Sequence, residues 1–254
     1  METIRKLSFV ALTALAAATL QTGCTTHPLA PHGTDLFNGH DLTGWTRKGG
    51  QAQYTAEEGA LVGRSVAGTP NSFLCTTKDY GNFVLDLEFK CDPRLNSGVQ
   101  VRSQCFDADT ELKDAQGAPL KDSKGKALKA PAGRVHGYQC EIDMDDKKAR
   151  WWTAGIYEEG VRGWLFPGLR GGEAKAFTAQ GAKVSKANVW NKLRIECKGP
   201  SIKTWLNGEL RADLQDDRVA KGFIGLQVHG VGKDQTHAGM EVRFRNLRIQ
   251  ELGP

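Results

Sequence analysis

From residue 35 onward the apolar residues return at every second position. The stretch "NFVLDLEFKCD" (82–92) sets Phe83, Leu85, Leu87 and Phe89 against Val84, Asp86, Glu88 and Lys90. The same alternation runs through "NSGVQVRSQCF" (96–106), "RVHGYQCEIDMD" (134–145), "NKLRIECKG" (191–199), "SIKTWLNGEL" (201–210), "GFIGLQVHG" (222–230) and "MEVRFRNLRIQEL" (240–252). Successive side chains of a strand point to opposite faces, so period two means strands with one apolar and one polar side. Gly199-Pro200 and Asn207-Gly208 mark tight turns between them. No long amphipathic helix is visible; residues 172–188 have room for a helical turn or two. Strands and turns across 254 residues predict one all-β, antiparallel domain. A sandwich with one concave, partly solvated sheet accounts for the polar faces better than a small closed barrel, whose interior would be apolar.

The first residues read as targeting. Arg5 and Lys6 precede an apolar run, 7–20, that is too short to span comfortably as a membrane helix. "LQTGC" then ends at Cys24 and resembles a bacterial lipoprotein signal, with Gln21 standing where a leucine is usual. The expected organisation is a signal peptide (1–23), a tether (24–34) behind a lipidated Cys24, and a domain over 35–254 carrying a polar excursion at 107–134. Such a chain works outside the cytoplasm, in the periplasm or held to the outer membrane by its lipid. The net charge of +5 is too small, and has too little basic clustering, to imply nucleic acid. Five further cysteines allow one or two disulfides in an oxidising compartment and leave at least one unpaired. None has zinc-ligand spacing, so most are expected as small buried hydrophobes.

Within 134–145 the face opposite Tyr138, Cys140, Ile142 and Met144 carries Gln139, Glu141, Asp143 and Asp145. Glu88, Gln100, Arg102, Gln227 and His229 share the non-core parity of their own strands. A concave sheet presenting these groups suits a polyhydroxylated ligand, whose hydroxyls need donors and acceptors. Trp151, Trp152, Tyr157 and Trp164 follow the acidic strand and offer faces for a pyranose ring. Structural roles compete: Arg102 neutralising Glu88 or Glu141, Arg245 and Asn246 anchoring the last strand, Trp45 packing in the core. The excursion contains a short duplication, "KDAQGAPL" and "KDSKGKAL", and reads equally as a lid or a surface decoration.

Several stretches together carry a resemblance. "DLFNGHDLTGW" (35–45), "NSGVQVRS" (96–103), "GRVHGYQCEID" (133–143), "AGIYEEGVRGWL" (154–165), "WNKLRIECKG" (190–199), "TWLNG" (204–208) and "GLQVHG…VRFRNLRI" (225–249) resemble the 3-keto-disaccharide hydrolase family, also described as 3-keto-glucoside 1,2-lyase/3-keto-2-hydroxyglucal hydratase. The resemblance implies a concanavalin A-like jelly roll and cleavage of 3-keto-glycosides by C2 proton abstraction, elimination and hydration. It further implies an oxidoreductase acting at sugar C3 as functional partner. That chemistry needs a base near C2, positive charge at the C3 oxygen and an acid at the leaving oxygen. His229 or Glu141 would be the base with Asp143 tuning it, and Arg102 or Arg245, or a divalent metal cation, would stabilise the enolate. Glu88, Gln100, Gln139, Tyr157, Trp164 and Gln227 would join the two arginines in binding substrate. Two alternatives stand beside it. "EIDMD" also resembles the acidic strand of laminarinase- and lichenase-type glucanases, with Glu141 and Asp145 as the pair. Residues four apart on a strand begin roughly 13 Å apart, whereas retaining chemistry wants carboxyls about 5–5.5 Å apart. The other alternative is a non-catalytic carbohydrate-binding module.

Overall fold

A computed structural model describes residues 33–122, 124–145 and 150–253. Two antiparallel sheets face each other. The site sheet runs, edge to edge, through Gly163–Phe166, Ile156–Glu159, His136–Ile142, Ser97–Gln104, Gly222–Val228, Ser72–Tyr80 and Trp45–Gly49. The back sheet runs through Glu209–Gln215, Ser201–Leu206, Asn191–Lys198, Phe83–Cys91, Glu241–Glu251, Ala60–Arg64 and Gln53–Glu57. Ser72–Tyr80, Phe83–Cys91 and Ser97–Gln104 follow one another in sequence yet alternate between sheets. This crossing makes an all-β jelly-roll sandwich.

The alternation explains the core. Phe83, Leu85, Leu87 and Phe89 point inward from the back sheet and meet Val99, Val101, Tyr138, Cys140 and Ile142 from the site sheet, all of them buried. Each such aliphatic or aromatic side chain contributes about 1.5–3 kcal/mol on leaving water. Trp45 is buried and its indole donates to the Leu36 carbonyl at 3.0 Å, so it packs instead of stacking on ligand. All five described cysteines are free thiols, four of them fully buried. Burial raises the Cys197 thiol to about 12, which keeps it protonated and unreactive.

Some boundaries differ from those expected. Cys24 and most of the tether lie outside the described residues. The tether's end is structured: Thr34–Asp35 pairs with the last strand, and Arg248 donates to the Gly33 carbonyl at 2.6 Å. The helical turn expected near 172–188 is an 11-residue helix, Ala174–Val184. Glu173 caps it by accepting from the Lys175 and Ala176 amides at 2.9 and 2.6 Å. Among the described residues no helix is long and apolar enough to cross a membrane.

The excursion is folded on itself. Each half of the duplication makes one tight turn closed by its aspartate: Asp114 accepts from the Gln116 and Ala118 amides, and Asp122 from those of Lys124 and Lys126. Three leucines eight residues apart close a ring of backbone bonds, Leu112 N to Leu128 O, Leu128 N to Leu120 O and Leu120 N to Leu112 O, at 2.7–2.9 Å.

Candidate functional site

Gln139 and Glu141 on His136–Ile142, and Gln227 on Gly222–Val228, form the floor of a polar groove of about 570 Å³. Between their strands runs Ser97–Gln104, which places Gly98 directly opposite Glu141. A Cβ at Gly98 would stand 2.7 Å from Cγ of Gln139, so only glycine lets the Gln139 side chain lie across this strand. Lying there, the Gln139 amide donates to Glu141 Oε1 at 2.7 Å and to Gln227 Oε1 at 3.2 Å. Its own oxygen accepts from Gln100 Nε2 at 2.5 Å, and Gln100 in turn accepts from Ser103 Oγ at 2.5 Å. This chain fixes which way each amide points. It leaves Gln227 Nε2 as a buried donor without a protein partner.

Glu141 is buried and, among the described residues, meets no cation. Asn96 donates to its Oε2 at 3.2 Å, completing a shell of two amides. Burial raises its carboxyl to about 8, helped by the nearby negative charges of Asp143 and Glu159 and opposed by the hydrogen bonds from Asn96 and Gln139. Glu141 is therefore neutral at pH 7. Glu159, on the wall, is also held above the ordinary carboxyl range by burial, with Arg134 and His229 pulling the other way.

Beside Glu141, Asp143 is buried and bound by Arg150 Nε. Arg150 lies 5.5 Å over the Trp152 ring and 5.7 Å over Trp164. Trp164 meets Trp152 edge-on at 4.5 Å and Tyr157 at 5.4 Å. The helix braces this wall from behind. Trp152 donates to Thr178 at 2.8 Å, and Gly181 sits so close to the chain that a Cβ there would lie 1.9 Å from the Trp151 carbonyl. Arg211 stacks on Phe177 at 3.7 Å and donates to the carbonyls of Trp151, Thr153 and Phe177.

Across the groove His229 Nδ1 lies 2.7 Å from the Gly230 carbonyl. A carbonyl only accepts, so Nδ1 carries a proton and Nε2 is the nitrogen left to exchange one with a ligand. Exposed Arg94 and half-buried His237 complete that rim.

Of the groups expected at the site, Glu141, Asp143, His229, Gln139, Tyr157, Trp164 and Gln227 come together. Gln100 stands behind them, touching Gln139 instead of the groove. Two expectations are corrected. Arg102 sits at a bulge with φ +47° and turns away, donating to the Gly81 and Gly199 carbonyls and to Asn82; it neutralises neither Glu88 nor Glu141. Glu88 and Arg245 belong to the back sheet, where they pair with each other at 2.7 Å while Arg245 stacks 4.0 Å over Trp190. Asp145 lies beyond a break, in the short strand Met144–Asp145, and its side chain is outside the described part. Asn96, Glu159, Arg150 and Arg94 were not anticipated. Glu159 was legible as the parity partner of Tyr157, and Asn96 as that of Gly98; the two arginines lie off the alternating runs. The described residues of the excursion line no part of the groove.

Among the described residues, no three His, Cys, Asp or Glu side chains are disposed to hold a metal ion. Glu141 is engaged by amides and Asp143 by an arginine, so this donor set does not fit a resident cation.

No curated protein matches the chain. A Bacillus subtilis protein of unknown function with a galectin-like fold superimposes with a TM-score of 0.51 at 12% identity, over 83% of this chain and 90% of that one, and shares the fold. A provisionally named glycosyl hydrolase from Parabacteroides distasonis superimposes with a TM-score of 0.49 at 20% identity, over 87% and 94%. The carbohydrate-binding module CBM66 of Bacillus subtilis does so with a TM-score of 0.46 at 17% identity, over 82% and 96%. The sequence itself matches the model of the 3-keto-alpha-glucoside-1,2-lyase-like domain over residues 32–250, so the chain belongs to that carbohydrate-acting family.

Proposed function

We propose that the groove cleaves the glycosidic bond of 3-keto-glycosides by elimination and hydration. The observation that carries this reading is the pairing, in one cavity, of a carboxyl neutral at pH 7 with an imidazole whose Nδ1 is held by the Gly230 carbonyl, which leaves Nε2 as the nitrogen that faces the reaction. One is an acid and the other a base at the same pH, as the reaction requires.

The ketone at C3 acidifies the C2 proton, which His229 Nε2 removes. Negative charge gathers on the C3 oxygen, where the Gln227 Nε2 donor and the Arg150 guanidinium supply the counter-charge assigned from sequence to Arg102 or Arg245. The C1–O bond breaks, its electron pair leaving with the glycosidic oxygen, and Glu141 delivers that oxygen its proton. Water then adds to the unsaturated sugar. Glu141, now ionised, takes a proton from the water as its hydroxyl joins C1, and the exposed His229, its proton exchanged with solvent, protonates C2. Both groups end as they began. Asp143 holds Arg150, and the Tyr157–Trp164 wall offers the apolar face a pyranose needs. An oxidoreductase acting at sugar C3 must supply the substrate.

The test incubates the protein in deuterated water with a 3-keto disaccharide and, separately, with its unoxidised parent, with and without EDTA. Sugar release from the keto substrate alone, with deuterium entering at C2 by NMR, is expected. Cleavage of the parent would establish a glucanase in its place, and binding of either without cleavage would leave a carbohydrate-binding module. Loss of turnover in EDTA would transfer the role given to Arg150 to a metal cation.

A further inference from the structure

A second polar cavity, of about 530 Å³, adjoins the groove on the other side of Arg94. Arg94 lines both cavities, and the segment that presents His237 to the first presents Ala238, Gly239 and Met240 to the second. Arg94 is shared by the two cavities, and the chain passes from one lining to the other between His237 and Ala238. The opposite end of the groove is walled by Arg150, Trp164 and Tyr157.

The lining of this second cavity is unusual in its charge. Lys90 and Arg243 are direct cross-strand partners on neighbouring strands of the back sheet, and both face the cavity. Like charges in that position repel. The two acids present do not relieve Lys90. Asp92 is held by Arg94 at 3.0 and 2.6 Å, and Glu241 is shared between Arg64 at 2.8 Å and Arg243 at 2.9 Å. Among the described residues Lys90 has neither an ion pair nor a side-chain hydrogen bond, although it is half-buried. Asn188, on the same cavity, has no side-chain partner either. Arg243 is balanced by Glu57, Glu58 and Glu241, so Lys90 is the cation left without a partner, in a cavity joined through Arg94 to the groove that holds Glu141.

We propose that this cavity is the subsite for the leaving group and that it selects leaving groups bearing a carboxylate, which Lys90 and Asn188 receive. The ring under attack lies over Gln139, Glu141 and Gln227, and the departing unit passes Arg94. The position of this subsite rests on the proposed cleavage; its preference for a carboxylate does not, because free acids bind without turnover.

The test is therefore a binding measurement first. Glucuronate, glucose and inorganic phosphate are titrated into the protein and into Lys90→Met, with heats read by calorimetry. Glucuronate is expected to bind the unaltered protein about fivefold more tightly than glucose, with the advantage gone in the variant and diminished by salt. Equal binding of glucuronate and glucose, or an advantage that survives Lys90→Met, overturns the proposal. Phosphate binding as well as glucuronate also overturns it, by reducing the cavity to a general anion site. With the keto substrate, a matched pair of glycosides differing only in a leaving-group carboxylate should then differ in KM, and Lys90→Met should raise KM for the acidic one alone. Should neither glycoside be cleaved while glucuronate binding still depends on Lys90, the reaction fails and the carboxylate site stands.

Discussion

The strands His136–Ile142 and Ile156–Glu159 carry two buried acid clusters on opposite faces, and the two handle charge in opposite ways. On the core side, Tyr138 opposes Glu158. Glu158 is bound by Arg162 and Arg218, while Asp216 accepts from the Tyr138 hydroxyl and from Arg162 and Arg170. Burial alone would raise the Asp216 carboxyl, but the hydrogen bonds from Arg162, Tyr138 and Arg170 outweigh it and hold the group far below its usual range. On the groove side, Gln139 opposes Tyr157, and the acid beside it, Glu141, is hydrogen-bonded among the described residues by amides alone. Amides lend dipoles without net charge, so burial wins and the carboxyl keeps its proton. The choice between arginine and glutamine as neighbour thus separates a clamp that stays ionised from an acid able to give its proton away.

The comparison can be broken at its ionised end first. Asp216→Ala should cost about 3–5 kcal/mol in urea unfolding at pH 7, because it strands buried guanidinium groups. The loss should shrink in acid, since a depressed carboxyl stabilises above its unfolded pKa and ceases to do so as pH falls through the folded one.

Glu141→Gln should behave in the opposite sense. Turnover should fall by about 10²–10⁴-fold, yet the protein should gain about 1–3 kcal/mol at pH 8. A raised carboxyl contributes stability fully below its unfolded value of 4.5, and that contribution drains away as pH rises toward about 8. The variant should lose this slope. In the unaltered enzyme, kcat should decline above about pH 8 as Glu141 ionises. A variant destabilised at pH 8, or a profile still rising there, would remove Glu141 from the acid's role.

The smallest effect sharpens the boundary of the site. Arg245→Ala, on the back sheet, should change stability by about 1 kcal/mol or less and leave kcat/KM where it was, as steady-state assays beside Arg150→Ala would show.

Most of the fold was legible because alternation is a local signal. It placed Tyr138, Cys140 and Ile142 in the core and put Gln139 and Glu141 on the other face. What alternation cannot say is which of two sheets a strand joins, and that is why Glu88 and Arg245 were grouped with residues they never meet. It also fails at a bulge: the +47° φ of Arg102 breaks the parity that aligned it with Gln100. Arg150 and Arg94 were invisible for a third reason, since turns and short strands position them and no periodicity reports where a turn points. Gly98 was legible as a glycine but not as a shelf for Gln139, a role that depends on a neighbouring strand's side chain.

The leucine ring of the excursion has a practical consequence. Its foot is pinned where the Gly133 amide donates to the Phe106 carbonyl at 2.8 Å, so the chain leaves and re-enters the sandwich at almost one point. Beyond a foot where Leu112 and Ala130 are buried, the described residues are tied by their own backbone bonds and two aspartate-closed turns. Its exposed turn tips, which line no part of the groove, can be lengthened, labelled or exchanged at little entropic cost, which offers a handle for immobilising or fusing the protein.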